Sequence, residues 1–243
     1  MTYGVPVLSG GLAAIFAHPD DESFGCAGAL ALAHDAGAAT RLLIATRGEA
    51  GGPDNRDEAE LAHVRELEMI CAAEKIGIDE VSVLDGYPDG GVADLPFDRL
   101  VDDIAEWLAD RRPAAVITFG THGVTGHPDH IAVGSATRWA VERLAASGRA
   151  PRAVFTVSPV FSPGANRFDL APDEQSATHR IDVTAVVGRK LAALECHASQ
   201  PDAVEEIARL RAAIDVEGVV YEGYHRVRPI VPPPHPEFGT SLL

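Results

Sequence analysis

The chain has 243 residues, 46% of them hydrophobic, enough to bury a full core in one large domain or two small ones. Its formal net charge of −16, from 36 acidic against 20 basic residues, opposes non-specific attraction to DNA, RNA or an anionic bilayer, so nucleic acid is not an expected partner. No apolar stretch approaches the ~20 residues of a membrane span and the amino terminus lacks the basic start of a signal peptide. The three cysteines, Cys26, Cys71 and Cys196, are odd in number and lack a zinc-finger or redox spacing. The expectation is a soluble protein of the reducing cytoplasm.

Apolar runs that suit strands fall at Leu12 to Ala17, Arg41 to Thr46, Val81 to Leu84, Ala114 to Phe119 and Ala153 to Val157. Helical patterns lie between them near Ser23 to Asp35, Glu58 to Ile76, Phe97 to Asp110 and His130 to Ala146. Strands separated by helices imply right-handed crossovers and a mostly parallel sheet covered on both faces, so the expected fold class is α/β and Rossmann-like. Beyond Pro159 the pattern loosens into a loop with Pro163, Gly164 and Pro172, helices near Thr184 to Cys196 and Asp202 to Ala213, and a strand at Val219 to Tyr224. With no low-complexity linker, residues 1–243 read as one domain ending in a proline-rich tail, about 229–243, that can be neither regular helix nor interior strand.

Two clusters follow two of these strands. His18-Pro19-Asp20-Asp21-Glu22 comes after the first, and Gly126-His127-Pro128-Asp129-His130 after the fourth. In open α/β sheets, ligands collect beyond the carboxyl ends of strands, where both clusters fall. A catalytic zinc commonly takes three protein ligands and leaves a position for water. His18 and Asp21, one local turn apart, together with His130 supply such a set, for Zn²⁺ or equally for Fe²⁺, since nitrogen and oxygen ligands discriminate weakly between them. Asp20 is left over as a general base for metal-activated water, and His127 as an electrophile or general acid. Asp129 is then placed to fix the tautomer of His127. Arg47 and Glu49, in the loop after the second strand, are candidates for contact with sugar hydroxyls. Asp and Pro at helix starts also serve as plain caps, but two histidine-bearing clusters after two strands argue for chemistry.

The pairing of Ala17-His18-Pro19-Asp20-Asp21-Glu22 with Gly126-His127-Pro128-Asp129-His130 resembles the PIG-L/LmbE-like zinc-dependent N-deacetylases. Thr46-Arg47-Gly48-Glu49, Arg65-Glu66 and His197-Ala198-Ser199-Gln200 extend the resemblance over Leu12 to Gln200. It implies His18, Asp21 and His130 as metal ligands, Asp20 as general base, His127 as electrophilic or general-acid histidine, Asp129 as its orienting carboxylate, and Arg65 as a substrate-contacting arginine.

The expected activity is hydrolysis of an N-acetyl group from an amino sugar or glycoconjugate. An amidase acting on a larger acyl group or a thiol conjugate would use the same residues, with acyl size set by loops such as Gly86 to Pro96 and Ser158 to Asp173. A metal- or sugar-binding module without turnover would not need Asp20 and His127. The expected partner is a small N-acetylated sugar; oligomeric state is open, a homo-oligomer included.

Overall fold

The computed structural model describes residues 10–52 and 57–228; the proline-rich tail lies outside them. The chain passes through β1 (Leu12–Phe16), α1 (Asp21–Gly25), α2 (Ala27–Asp35), β2 (Thr40–Ile44), α3 (Glu58–Ile76), β3 (Glu80–Val83), α4 (Phe97–Arg111), β4 (Ala115–Thr118), α5 (Pro128–Ala145) and β5 (Ala153–Val157). It continues through α6 (Pro172–Gln175), β6 (His179–Asp182), α7 (Val187–Cys196), α8 (Pro201–Glu217) and β7 (Tyr221–Arg228). β1, β4 and β5 are buried at every residue, as central strands covered on both faces must be. Local chemistry sets the helix ends. The Asp57 carboxylate accepts the Glu60 N–H to start α3, Gly77 closes it at φ 86°, and Pro128 occupies the first turn of α5.

The strands form one sheet in the order β3-β2-β1-β4-β5-β7-β6. β1 to β5 pair in parallel, while β7 runs antiparallel to both β5 and β6. The chain winds outward from β1 to β3, then returns to place β4 on the other side of β1. Right-handed crossovers therefore put α2 and α3 on one face and α5 on the other; α3 packs on α7, and α4 on α5. The reversal leaves a crevice above the carboxyl ends of β1 and β4, where such folds bind ligands.

The α/β architecture is as the sequence implies, with three local differences. The helix expected over Ser23 to Asp35 is broken at Cys26, whose φ of −153° is not helical. Strand β6, with the mixed sequence His-Arg-Ile-Asp, carries no apolar run to mark it. The cysteines do pair: Cys71 in α3 and Cys196 at the end of α7 form a disulfide, their Cα atoms 5.8 Å apart and 125 residues apart in sequence. That separation hides the pair from any reading of local spacing. Cys26 is free and buried. Among the described residues, no helix is long and apolar enough to cross a membrane.

Candidate active site

A cavity of about 610 Å³ opens above β1 and β4 and is lined by His18, Asp20, Asp21, His127 and His130, among others. Two imidazole nitrogens and the Asp21 carboxylate meet in its floor. His18 Nδ1 lies 3.1 Å from His130 Nε2, His130 Nε2 lies 3.4 Å from Asp21 Oδ1, and His18 Nδ1 lies 3.8 Å from Asp21 Oδ2. Ligands ~2.1 Å from one ion in a tetrahedron sit roughly 3.4 Å apart, which is close to the spacing of these groups.

The surroundings direct the right atoms inward. His130 Nδ1 faces the Gly123 carbonyl at 3.0 Å, which places its proton there and leaves Nε2 bare. His18 Nε2 faces Asp89 Oδ1 at 3.0 Å, which turns Nδ1 toward His130 and Asp21. Burial lowers the His18 pKa, but hydrogen bonds to Asp129 and Asp89 and the charge of Asp21 outweigh it and raise the imidazole to about 10, so without a cation Nδ1 carries a proton that a bound cation would displace. Asp21 Oδ2 accepts the N–H groups of His18 (2.8 Å) and Ala17 (3.2 Å), so Oδ1 remains for a cation. Phe119 stacks on the His130 ring with centroids 4.1 Å apart, fixing its plane.

Asp20 stands beside this trio in a strained conformation, φ 114°, rare for a residue with a Cβ. Its N–H donates to Glu22 Oε2 (3.1 Å), and its carbonyl accepts from Ser23 (2.8 Å) and Phe24 (3.1 Å). Arg65 donates to its carboxylate at 3.0 Å. Burial raises the Asp20 carboxyl to about 7 against the opposing charge of Arg65. Behind it, Glu22 and His197 form a fully buried ion pair at 3.1 Å, joined by the Ser23 hydroxyl. Burial alone would raise Glu22, but the hydrogen bond and charge of His197 hold it below the usual carboxylate range.

The family described as PIG-L: GlcNAc-PI de-N-acetylase matches residues 13–141, a span that holds both histidine clusters. The chain belongs to the PIG-L family. The 1D-myo-inositol 2-acetamido-2-deoxy-alpha-D-glucopyranoside deacetylase of Nakamurella multipartita is 31% identical over 232 residues, covering 78% of this chain and 79% of that protein. Among solved structures, the N,N'-diacetylchitobiose deacetylase of Pyrococcus horikoshii superposes with a TM-score of 0.68 at 22% identity, covering 88% of this chain and 82% of that one. The 4-carboxy-2-hydroxymuconate hydratase of Pseudomonas putida KT2440 superposes at 0.71, also at 22% identity, covering 92% and 98%. That fold therefore hosts more than one reaction, and the site residues have to carry the argument about chemistry. PIG-L members are metal-dependent deacetylases, and this chain is a hydrolase of that kind.

Within this PIG-L site, the sequence-derived candidates divide. His18, Asp20, Asp21, His127 and His130 line one cavity. Arg65 also lines it, but its guanidinium is already engaged: one nitrogen donates to the Pro19 carbonyl (2.6 Å) and to Asp20, another to the Gly48 carbonyl (3.0 Å). Arg47 and Glu49 do not line it. Arg47 is exposed, 3.9 Å from Glu66 and 3.6 Å from Asp85, and Glu49 accepts the Asp89 N–H at 2.9 Å. The Asp129 carboxylate is not on His127. It accepts N–H groups of Gly90 (2.8 Å), Val92 (3.1 Å) and Ala93 (3.4 Å), while His127 Nδ1 accepts the backbone N–H of Asp129 at 3.2 Å. The preference of an ionised carboxylate for several N–H groups explains the difference.

Asp89 is the residue that sequence reasoning missed. It sits in the loop after β3, lines the cavity and holds His18, yet no motif surrounds it. Phe24, Val157, Phe168 and Gln200 also reach the cavity, from α1, β5 and two later loops. The segment from Ser158 to Phe168 supplies Ser158, Pro159, Ser162, Arg167 and Phe168 to the wall.

Proposed function

We propose that this protein removes the N-acetyl group from a small 2-acetamido sugar or its conjugate, with His18, Asp21 and His130 holding Zn²⁺. The observation that carries the reading is the convergence of three potential ligands, His18 Nδ1, His130 Nε2 and an Asp21 oxygen, beside the half-buried Asp20 carboxylate in one cavity. Fe²⁺ would suit the same donors. When bound, the cation would polarise the amide carbonyl and lower the pKa of attacking water from ~15.7 toward ~7.

The chain's own residues then divide the work. Asp20 accepts the proton of the attacking water and delivers it to the departing nitrogen, so one carboxylate serves as base and then acid. Its strained backbone, held by Glu22 and Ser23, and its contact with Arg65 fix the carboxylate at the cavity wall. His127 accepts an N–H at Nδ1, which puts its own proton on Nε2 as a donor for the oxyanion. Burial and the charges of His18 and His130 hold the His127 imidazole below its usual range, which favours that neutral tautomer near pH 7. The acetamido name of the Nakamurella relative supports the sugar class.

The test is primary-amine release from N-acetylglucosamine conjugates with zinc-loaded and chelated protein. Asp20→Asn is expected to retain zinc and lose ~10²- to 10⁴-fold in kcat, the usual contribution of a general base. His130→Ala is expected to lose zinc as well. Equal zinc loss in the two variants would remove Asp20 from the role of base.

A further inference from the structure

The loop between β4 and α5 ends at His127 and leads directly into His130 in the first turn of α5, and its backbone is held in an uncommon shape. Gly123, Val124 and Gly126 all have positive φ, with Val124 at 64°. A β-branched residue in that region is a rare outlier and persists only where its surroundings over-determine it. The restraint comes from another part of the chain. Glu174, in the four-residue helix α6, is completely buried, and its Oε1 accepts the N–H groups of Val124 (2.9 Å) and His122 (3.1 Å). Its Oε2 accepts the N–H of Ala171 at 2.9 Å. Asp173 accepts both the N–H and the hydroxyl of Thr121 at 3.1 Å, and the Ser158 hydroxyl donates to the Glu174 carbonyl at 2.6 Å.

We propose that Glu174 is a positioning residue for His130, and through it for the metal site. By fixing the Val124 amide, Glu174 fixes the preceding peptide, whose carbonyl, that of Gly123, holds His130 Nδ1 at 3.0 Å. That hydrogen bond keeps the ring's Nε2 bare and aimed at His18 and Asp21. The carboxylate also joins two parts of the site. The segment leading into α6 supplies Pro159, Ser162, Arg167 and Phe168 to the cavity wall, so wall and ligand loop share one buried anchor. Gly120 leaves room for it: a Cβ there would lie 2.4 Å from Glu174 Cγ and 2.6 Å from Oε1. The proposal rests on the reading of His18, Asp21 and His130 as the cation's ligands.

The experiment is a Zn²⁺ competition titration of metal-free protein against a chromogenic chelator, with thermal unfolding of the metal-free and zinc-loaded forms beside it. Glu174→Ala is expected to weaken Zn²⁺ binding by ~10-fold or more, the usual cost of removing a group that orients a metal ligand. Glu174→Gln can keep one oxygen on the Val124 and His122 amides and is expected to fall between the alanine variant and the parent. Gly120→Ala displaces the carboxylate without removing its charge and is expected to weaken zinc as well. If Glu174→Ala fails to fold, the other two variants decide. Unchanged zinc affinity in the folded variants, with only the metal-free unfolding temperature lowered, would reduce Glu174 to a structural clamp and overturn the proposal. A parent protein that binds no Zn²⁺ would overturn the ligand reading, and this one with it.

Discussion

Arg65 is 3% exposed, and two of its three guanidinium nitrogens donate to Pro19, Asp20 and Gly48. Its geometry makes it the support of Asp20 more than a reader of substrate. Removing it would leave the half-buried Asp20 carboxyl, already raised to about 7, without its cation; the group can then take up a proton, which holds the cost to about 1–3 kcal/mol, that of a polar group left without its partner. Arg65→Ala is therefore expected to lower stability by that amount in urea unfolding. In active protein, the acidic limb of the kcat/KM profile should move to higher pH, because the base loses the charge that holds its pKa down. Arg65→Lys should recover little, since one ammonium cannot span three acceptors that a planar fork reaches. A variant with parental stability and an unshifted limb would return Arg65 to the role of substrate contact. At this scale, what was legible in the sequence is what lies within a few residues. His18, Asp20 and Asp21 stand together, as do His127 and His130, because one turn suffices to present each group. Asp89 to His18, Glu22 to His197 and Glu174 to Val124 are long-range pairings that no local pattern announces.

Helices α3 and α7 pack on each other and are tied by the Cys71–Cys196 disulfide. A covalent link closing a loop of this size restricts the unfolded chain, with a typical effect of about 2–4 kcal/mol. Reduction, or Cys71→Ser, is expected to lower stability by that amount in urea unfolding with and without dithiothreitol. An unchanged midpoint would mean that the thiols are not paired in solution. At the opposite end of the sheet, His179 in β6 sits half-buried with its ring edge-on to Phe155 at 5.0 Å. Burial, then the charges of Arg226 and His225, lower its pKa to about 4. Its folded value lies below the unfolded ~6.5, so its contribution is complete above pH 6.5 and is lost as pH falls toward 4. His179→Gln should flatten that part of the stability profile, measured by unfolding between pH 7.5 and 4; a parallel shift of the whole curve would place the proton elsewhere. Strand β6 also shows where elements escape the sequence. His-Arg-Ile-Asp has one buried position and takes its conformation from pairing with β7. The break between α1 and α2 is likewise tertiary, because Glu222 from β7 accepts the N–H groups of Gly28 (2.9 Å) and Ala29 (2.8 Å) and so restarts the helix.

Over the whole molecule, the first five strands were readable because each is an apolar run followed by a helix, a pattern with few alternatives. The crevice was readable too, since strand order in such a sheet dictates where it opens. In the second half α7, α8 and β7 were marked by their patterns, but β6 and the strand order were not, because β6 and β7 pair antiparallel and against chain order, an arrangement that depends on partners already in place. β7 has a further consequence. It is the last described strand, yet it lies inside the sheet, between β5 and β6. Its Glu222 also receives the Lys190 ammonium at 2.7 Å as well as the amides that begin α2. During synthesis, the crevice above β1 and β4 emerges from the ribosome long before Tyr221 does. A nascent chain halted ahead of Tyr221 would carry both histidine clusters, but β5 would face water along one edge and α2 would lack its anchor. Maturation of the site therefore waits for β7, the last of the described strands.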